Sequence, residues 1–232
     1  MPHEDLHHLA SVRRLRDGEP VVASDGQGAW CQCRAVVARR ARREPAPSSF
    51  RLEPEGPVRY EPAPQPAIEI AFSLVKGDRT EWAVAKLTEL GADRILPLVC
   101  ERTVVRPGGD EPSPRRGERL RRISREAAMQ ARRVHLPTVA DPVGLGELLQ
   151  AVDPDRTGLA EPGGEPAGLA RPVLLVGPEG GWSPGELRLA GARGLATVGL
   201  GPHVMRTETA AIAAAALLTA VRSGSVRPGA RP

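Results

Sequence analysis

Two short stretches carry the residue types from which a binding crevice could be built. Gly177-Pro-Glu-Gly-Gly181 follows the apolar run Val173-Leu-Leu-Val176, and Leu200-Gly-Pro-His-Val-Met-Arg-Thr-Glu-Thr-Ala210 follows Leu195-Ala-Thr-Val198. Loops poor in side chains let backbone N–H and C=O groups come close to a ligand. Arg206 adds a permanent charge beside a helix start, where a fixed cation can stabilise negative charge developing on a bound group. The alternative for Arg206 is a structural ion pair that ties down its loop. Glu179 and Glu208 are the nearby acids, and Glu208 has a second reading as a complement to the dipole of its helix.

The elements around these loops are those that would position them. Continuous apolar runs of this length read as strands buried on both faces, the habit of parallel sheets. Each loop is followed by a helix start. Ser183-Pro-Gly-Glu186 has the form of a capping box with proline at the first helical position, and Thr207 is a suitable cap for the alanine-rich helix after it. Two such loops side by side at the carboxyl edge of a sheet form the crevice in which open α/β folds bind ligands.

Together the two stretches resemble the end of the SPOUT (α/β-knot) methyltransferases, and most closely the ribosomal RNA small-subunit methyltransferase E family. Its hallmarks, Gly-Pro-Glu-Gly-Gly and Leu-Gly-x-x-(Ile/Val)-(Leu/Met)-Arg-Thr-Glu-Thr-Ala, are both present. The resemblance extends upstream through Lys76-Gly-Asp-Arg79, Glu81-Trp82, Lys86, Glu89-Leu-Gly91, Pro97 and Glu101-Arg102. Ala127-Ala-Met-Gln130, Arg133 and Pro137 match a further family pattern, with Met129 where a Glu is expected. The resemblance implies S-adenosylmethionine-dependent methylation of N3 of a uridine in 16S ribosomal RNA, on the small ribosomal subunit. It also implies a trefoil-knotted, mainly parallel sheet with helices on both faces. Leu159, Gly177, Glu179, Gly180, Leu200, Gly201, Val204, Met205 and Thr207 would hold the cofactor, with Arg206 and Glu179 as the catalytic candidates. Uracil N3 must lose a proton before it becomes a good nucleophile, so a base or a cation near O2 or O4 is needed. Other readings are a different SPOUT RNA methyltransferase, such as a ribose 2′-O enzyme, and a catalytically dead RNA-binding homologue.

The chain before the sheet has a different texture. Asp5 to Val12 suits a short helix, and Val21–Ala23 and Ala29–Val37 flank Asp25-Gly-Gln-Gly28, a hairpin signal. His8-Leu9, Val12-Arg13-Arg14, Gly18 and Asp25-Gly26 resemble the family's PUA-like amino-terminal barrel. The chain begins almost at the helix, which implies either a barrel without its first strand or a start upstream. Five prolines, at 54, 57, 62, 64 and 66, read as a stiff linker. The expected division is therefore 1–65, a PUA-like RNA-binding domain, and 66–232, the SPOUT domain. In the latter, Ile68–Leu74 and Ile95–Val99 read as strands, Asp78-Arg-Thr-Glu81 as a capping box, and Glu161–Pro172 as a loop.

Composition sets the outer bounds. At 232 residues, 41% hydrophobic and 26% charged, the chain is of ordinary globular character. It has no run of the ~18 apolar residues that a membrane span needs, and its first residues do not read as a secretion signal. Three cysteines argue against a disulfide framework, and Cys31 and Cys33 lack a second ligand pair, so no metal is expected. A cytoplasmic location follows as the expectation. The net charge is +4, carried almost entirely by arginine, in clusters at 13–16, 39–43 and 115–133. These clusters suit either phosphate contact or a solvated helix face. Arg13, Arg14, Arg122, Arg125 and Arg133 are the RNA-binding candidates. The small residues of the helix from Thr207 to Val221, Ala210, Ala211 and Ala213 to Ala216, would let another helix approach, and with the resemblance they point to a homodimer.

Overall fold

Runs of β-branched and apolar residues pair as expected in two separate sheets. The computed structural model describes residues 16–38, 49–105 and 113–226, and the chain divides into two units, Met1–Ala63 and Pro64–Pro232. The helix expected from Asp5, the basic residues at 39–43, and Arg13 and Arg14 lie outside the described residues.

In the first unit, β1 (Pro20–Ser24) and β2 (Ala29–Ala38) form the expected antiparallel hairpin. Asp25 Oδ1 fixes its turn by accepting from the N–H groups of Gln27 at 2.7 Å and Ala29 at 3.1 Å. β2 also pairs with β3 (Ser49–Pro54) and β4 (Arg59–Tyr60). Cys31, Cys33 and Ala35 alternate along β2 and are buried, as the period of two requires. The proline-rich segment is therefore not all linker. Its start is the end of β3, and Arg59-Tyr60 falls between the prolines and pairs with Ala29 and Trp30. The Arg59 guanidinium lies 5.2 Å from the Trp30 ring centre, a cation–π distance.

The second unit is built on one parallel sheet in the order β11-β9-β10-β5-β6-β7, with β8 also pairing β6. Its elements are β5 (Glu69–Ser73), α1 (Arg79–Leu90), β6 (Arg94–Val99), α2 (Ser113–Gln130), β7 (Thr138–Val139), β8 (Val143–Gly144) and α3 (Leu145–Ala151), then β9 (Thr157–Pro166), β10 (Val173–Val176), α4 (Pro184–Ala192), β11 (Ala196–Gly199) and α5 (Thr207–Arg222). Alternate strand residues feed two cores. Ile70 and Phe72 join Leu87 of α1, Leu120 of α2 and Leu218 of α5. Ala71 and Leu96 join Leu148 of α3 and Ala190 of α4. Helices thus cover both faces, the α/β architecture that the sequence predicts.

Three local expectations are corrected. Glu161 to Pro166 is strand rather than loop: β9 bulges after Leu159 and resumes pairing with β11 at Glu165 and Pro166. Gly164 permits this, since a Cβ there would stand 2.6 Å from the backbone of Thr197 and Val198. Asp78 begins α1 without a side-chain cap, because its backbone is already helical and Glu81 turns to Arg119 at 2.8 Å. Arg206, in extended conformation, is the N-cap of α5, and Thr207 is its first helical residue. The box at Ser183 does form, with Glu186 N–H to Ser183 Oγ at 3.1 Å and Ser183 N–H to Glu186 Oε2 at 2.8 Å.

Candidate active site

Parallel strands deliver their following loops to one edge of the sheet. β5, β6, β10 and β11 therefore send Leu74–Asp78, Cys100–Val105, Gly177–Trp182 and Leu200–Arg206 to the carboxyl edge. The Gly177–Trp182 loop is fastened on several sides. Trp182 is buried and donates from Nε1 to the Ala160 carbonyl in the β9 bulge at 3.2 Å. Glu186, within the α4 capping box, also accepts from the Glu101 N–H at 2.8 Å. Arg102 donates to the carbonyls of Gly180 at 2.8 Å and Trp182 at 3.3 Å. Thr207 Oγ1 donates to the Gly177 carbonyl at 2.9 Å, which joins this loop to the start of α5.

The glycines of this loop serve different ends. A Cβ on Gly177 would stand 2.8 Å from the Trp182 ring, so Gly177 is needed for packing. Beside Gly180 the space is open, with Arg102 Cδ the nearest atom at 3.5 Å from a would-be Cβ. Gly201 to Met205 make no backbone–backbone hydrogen bond among the described residues, which leaves their peptide donors and acceptors for a ligand. Val204 is 87% exposed, and Gly201 and Arg206 are exposed as well. A planar heterocycle with an amine donor and ring-nitrogen acceptors along its edges, as in the adenine of S-adenosylmethionine, fits this set of peptide N–H and C=O groups. When bound, that cofactor supplies a methyl group made electrophilic by its sulfonium.

Most of the proposed cofactor residues, Gly177, Glu179, Gly180, Leu200, Gly201, Val204, Met205 and Thr207, lie on these two loops or at the α5 start. Leu159 does not. It sits in β9, paired with Leu175 and Thr197, and its side chain is buried in the core. The two acids are held by a cation that is not among the expected site residues. Arg79 Nη1 lies 2.6 Å from Glu179 Oε1 and 3.3 Å from Glu208 Oε1. The Arg79 pKa is raised, first by its hydrogen bond to Glu179 and then by that to Glu208. Glu179 is thus engaged as an anchor of its loop. Arg206, by contrast, has no ion pair or side-chain hydrogen bond among the described residues. Arg79 and Arg102 stand in the stretches that carry the resemblance, Lys76–Arg79 and Glu101-Arg102, but are not among the expected site residues. Those stretches were the available signal, with, for Arg79, a cation in a first helical turn where the dipole opposes it.

The arginines of the α2 region divide. Arg122 is exposed and pairs with Glu126 at 3.2 Å, a surface contact worth about 0.3–0.5 kcal/mol and readily exchanged for a phosphate. Arg125 is half-buried. Arg133 is a correction. Its side chain is 13% exposed and donates to the carbonyls of Thr88 at 2.9 Å and Ala92 at 2.7 Å. It closes the end of α1 beside Asp93, which also receives Arg222, and burial lowers its pKa despite that neighbour. This cluster is at the amino end of β6, opposite the crevice. Met129, where an acid was expected, is an exposed residue near the end of α2. No cluster of three or more potential metal ligands occurs among the described residues, and none of their helices is long and apolar enough to cross a membrane.

Comparison with known proteins agrees with this geometry. A family model described as RNA methyltransferase domain matches residues 61–219, and one described as RNA methyltransferase PUA domain matches 2–36. The chain is 31% identical over 224 residues to the ribosomal RNA small subunit methyltransferase E of Bacillus subtilis (strain 168), covering 89% of this chain and 84% of that protein. A Legionella pneumophila putative methyltransferase solved in complex with S-adenosylmethionine superposes with a TM-score of 0.79 at 26% identity, over 97% of this chain and 90% of that one. A ribosomal RNA small subunit methyltransferase E from Neisseria gonorrhoeae, solved bound to S-adenosylmethionine, gives 0.76 at 26% identity, over 96% and 90%.

Proposed function

Since the chain belongs to the ribosomal RNA small subunit methyltransferase E family, we propose that it methylates small-subunit ribosomal RNA with S-adenosylmethionine. The position is N3 of a uridine in 16S RNA, and the reaction takes place in the cytoplasm. The observation that carries the reading is the joined pair of loops at the sheet's carboxyl edge, with Arg206, which pairs with no acid among the described residues, at their rim.

In this reading Gly180 and the peptide groups of Gly201–Met205 hold the cofactor, with Leu200, Val204 and Met205 supplying apolar contact. Thr207 and Glu179 act at one remove, by fixing the loop. Leu159 contributes through its position in β9 alone. Arg206 faces the uracil, and its guanidinium stabilises the charge on O2 or O4 as the N3 proton leaves. Such a donor contributes about 3–4 kcal/mol in comparable sites. The first domain, 1–65, binds RNA as a PUA-like unit through Arg13 and Arg14, and Arg122 and Arg125 add phosphate contacts from the SPOUT domain, whose knotted threading belongs to the same reading. No metal takes part.

The enzyme acts as a homodimer. Ala211, Ala214 and Ala215 are spent on the protein's own core, so the surface offered to a second copy is the half-buried row of Ile212, Ala213, Ala216 and Ala220 with exposed Leu217. A monomer mass by light scattering at micromolar concentration would remove the dimer. The activity is tested by incubating the protein with methyl-labelled S-adenosylmethionine and small subunits that lack this modification. Label in 16S RNA is expected; a protein that binds RNA but transfers no label is the dead homologue.

A further inference from the structure

Arg79 has an arrangement that its own helix does not explain. It lies in the first turn of α1, where the macrodipole disfavours a cation. Yet a single nitrogen, Nη1, reaches both Glu179 at 2.6 Å and Glu208 at 3.3 Å. The Glu208 side chain is only 7% exposed, and its second oxygen, Oε2, is buried with no hydrogen-bond partner. A carboxylate so placed is unfavourable unless a cation stands against it. Among the described residues Arg79 is the cation that does so.

The two acids belong to different parts of the site. Glu179 is the centre of the Gly177–Gly181 loop, and Glu208 is in the first turn of α5, two residues after Arg206. From this geometry we infer that Arg79 is a positioning residue for methyl transfer. Through Glu179 and Glu208 it holds the cofactor loop in register with the helix start that presents Arg206. The Thr207–Gly177 hydrogen bond spans the same two parts, so the register is set by one neutral and one charged tie. The inference rests on the methyltransferase reading and adds to it a residue acting through others.

The test uses the full chain as wild type, Arg79→Gln, Arg79→Lys, Glu208→Gln and the Arg79→Gln/Glu208→Gln double variant. Cofactor affinity is read by calorimetry, the methyl-transfer step by single turnover on small subunits at saturating cofactor, and the subunit KM and Tm alongside. Misplacing a reacting group by about 1 Å costs on the order of 10²-fold. Arg79→Gln should therefore slow single turnover by about 10- to 100-fold and weaken cofactor binding, with the subunit KM unchanged. Arg79→Lys should recover most of both, because one nitrogen makes both bonds and an ammonium also carries several donors on one nitrogen. The double variant should be little worse than Arg79→Gln alone, which already removes both ties, as expected for residues acting as a unit.

Additive losses would overturn the inference. So would a raised subunit KM without rescue by lysine, which would make Arg79 an RNA contact. A fall in Tm with normal affinity and rate would make it a structural pair only. If Arg79→Gln fails to fold, Glu179→Gln takes its place, since it releases the loop while leaving Glu208 paired; normal cofactor affinity there contradicts the clamp. A wild type that transfers no methyl group sinks the methyltransferase reading by itself, and the cofactor affinities still decide the clamp.

Discussion

The Thr207 hydroxyl donates to the Gly177 carbonyl across 2.9 Å, and this bond unites two loops that are 30 residues apart in the chain. It leaves the α5 N-cap to Arg206, whose extended backbone turns its side chain out of the helix. As the first helical residue rather than the cap, Thr207 turns its hydroxyl across to the neighbouring loop. One local choice at the helix start thereby fixes a loop and frees a charge.

Gly180 should tolerate a side chain structurally but not functionally. A Cβ there meets nothing closer than 3.5 Å, so Gly180→Val is expected to keep its Tm within a few degrees while losing cofactor binding. Titration calorimetry decides it, and unchanged affinity would exclude Gly180 from the site.

Arg206→Ala should lose roughly 10²–10³-fold in single-turnover methylation while still binding S-adenosylmethionine. Arg206→Lys should restore only part, because a point charge does not reproduce the planar fork. Near-normal turnover at saturating cofactor would refute the catalytic role. A joint loss of Tm and cofactor affinity would instead mark Arg206 as a structural tie.

Arg133 should behave in the opposite way. Its bonds to Thr88, Ala92 and Asp93 close the end of α1, and hydrogen bonds to charged groups are worth about 1.5–3 kcal/mol. Arg133→Met should lower stability by about that amount in urea titration, with RNA affinity per folded molecule unchanged. Weaker RNA binding at full stability would restore the phosphate-contact reading.

These contrasts show what was legible in the sequence. Val173–Val176 announces a doubly buried strand because its residues are apolar without interruption, and Ser183 with Glu186 announces a helix start because both partners lie within one turn. The crevice followed from such local signals. Arg79 pairs with Glu179 at a separation of 100 residues, and Arg133 bonds Ala92 at 41; no local pattern reports contacts made only when the sheet brings distant loops together. The strand at Glu161–Pro166 was hidden for a related reason. Its Gly-Gly-rich composition reads as loop, and only the close approach of β11 to Gly164 makes that composition suitable for pairing.

The most direct test of the account is the chemical identity of the methylated product. Small subunits lacking the modification are incubated with the protein and S-adenosylmethionine, the 16S RNA is digested to nucleosides, and these are resolved by mass spectrometry against standards. The account predicts 3-methyluridine, formed by the wild type and nearly absent with Arg206→Ala. A 2′-O-methylated nucleoside, or no new methylated nucleoside at all, would contradict it.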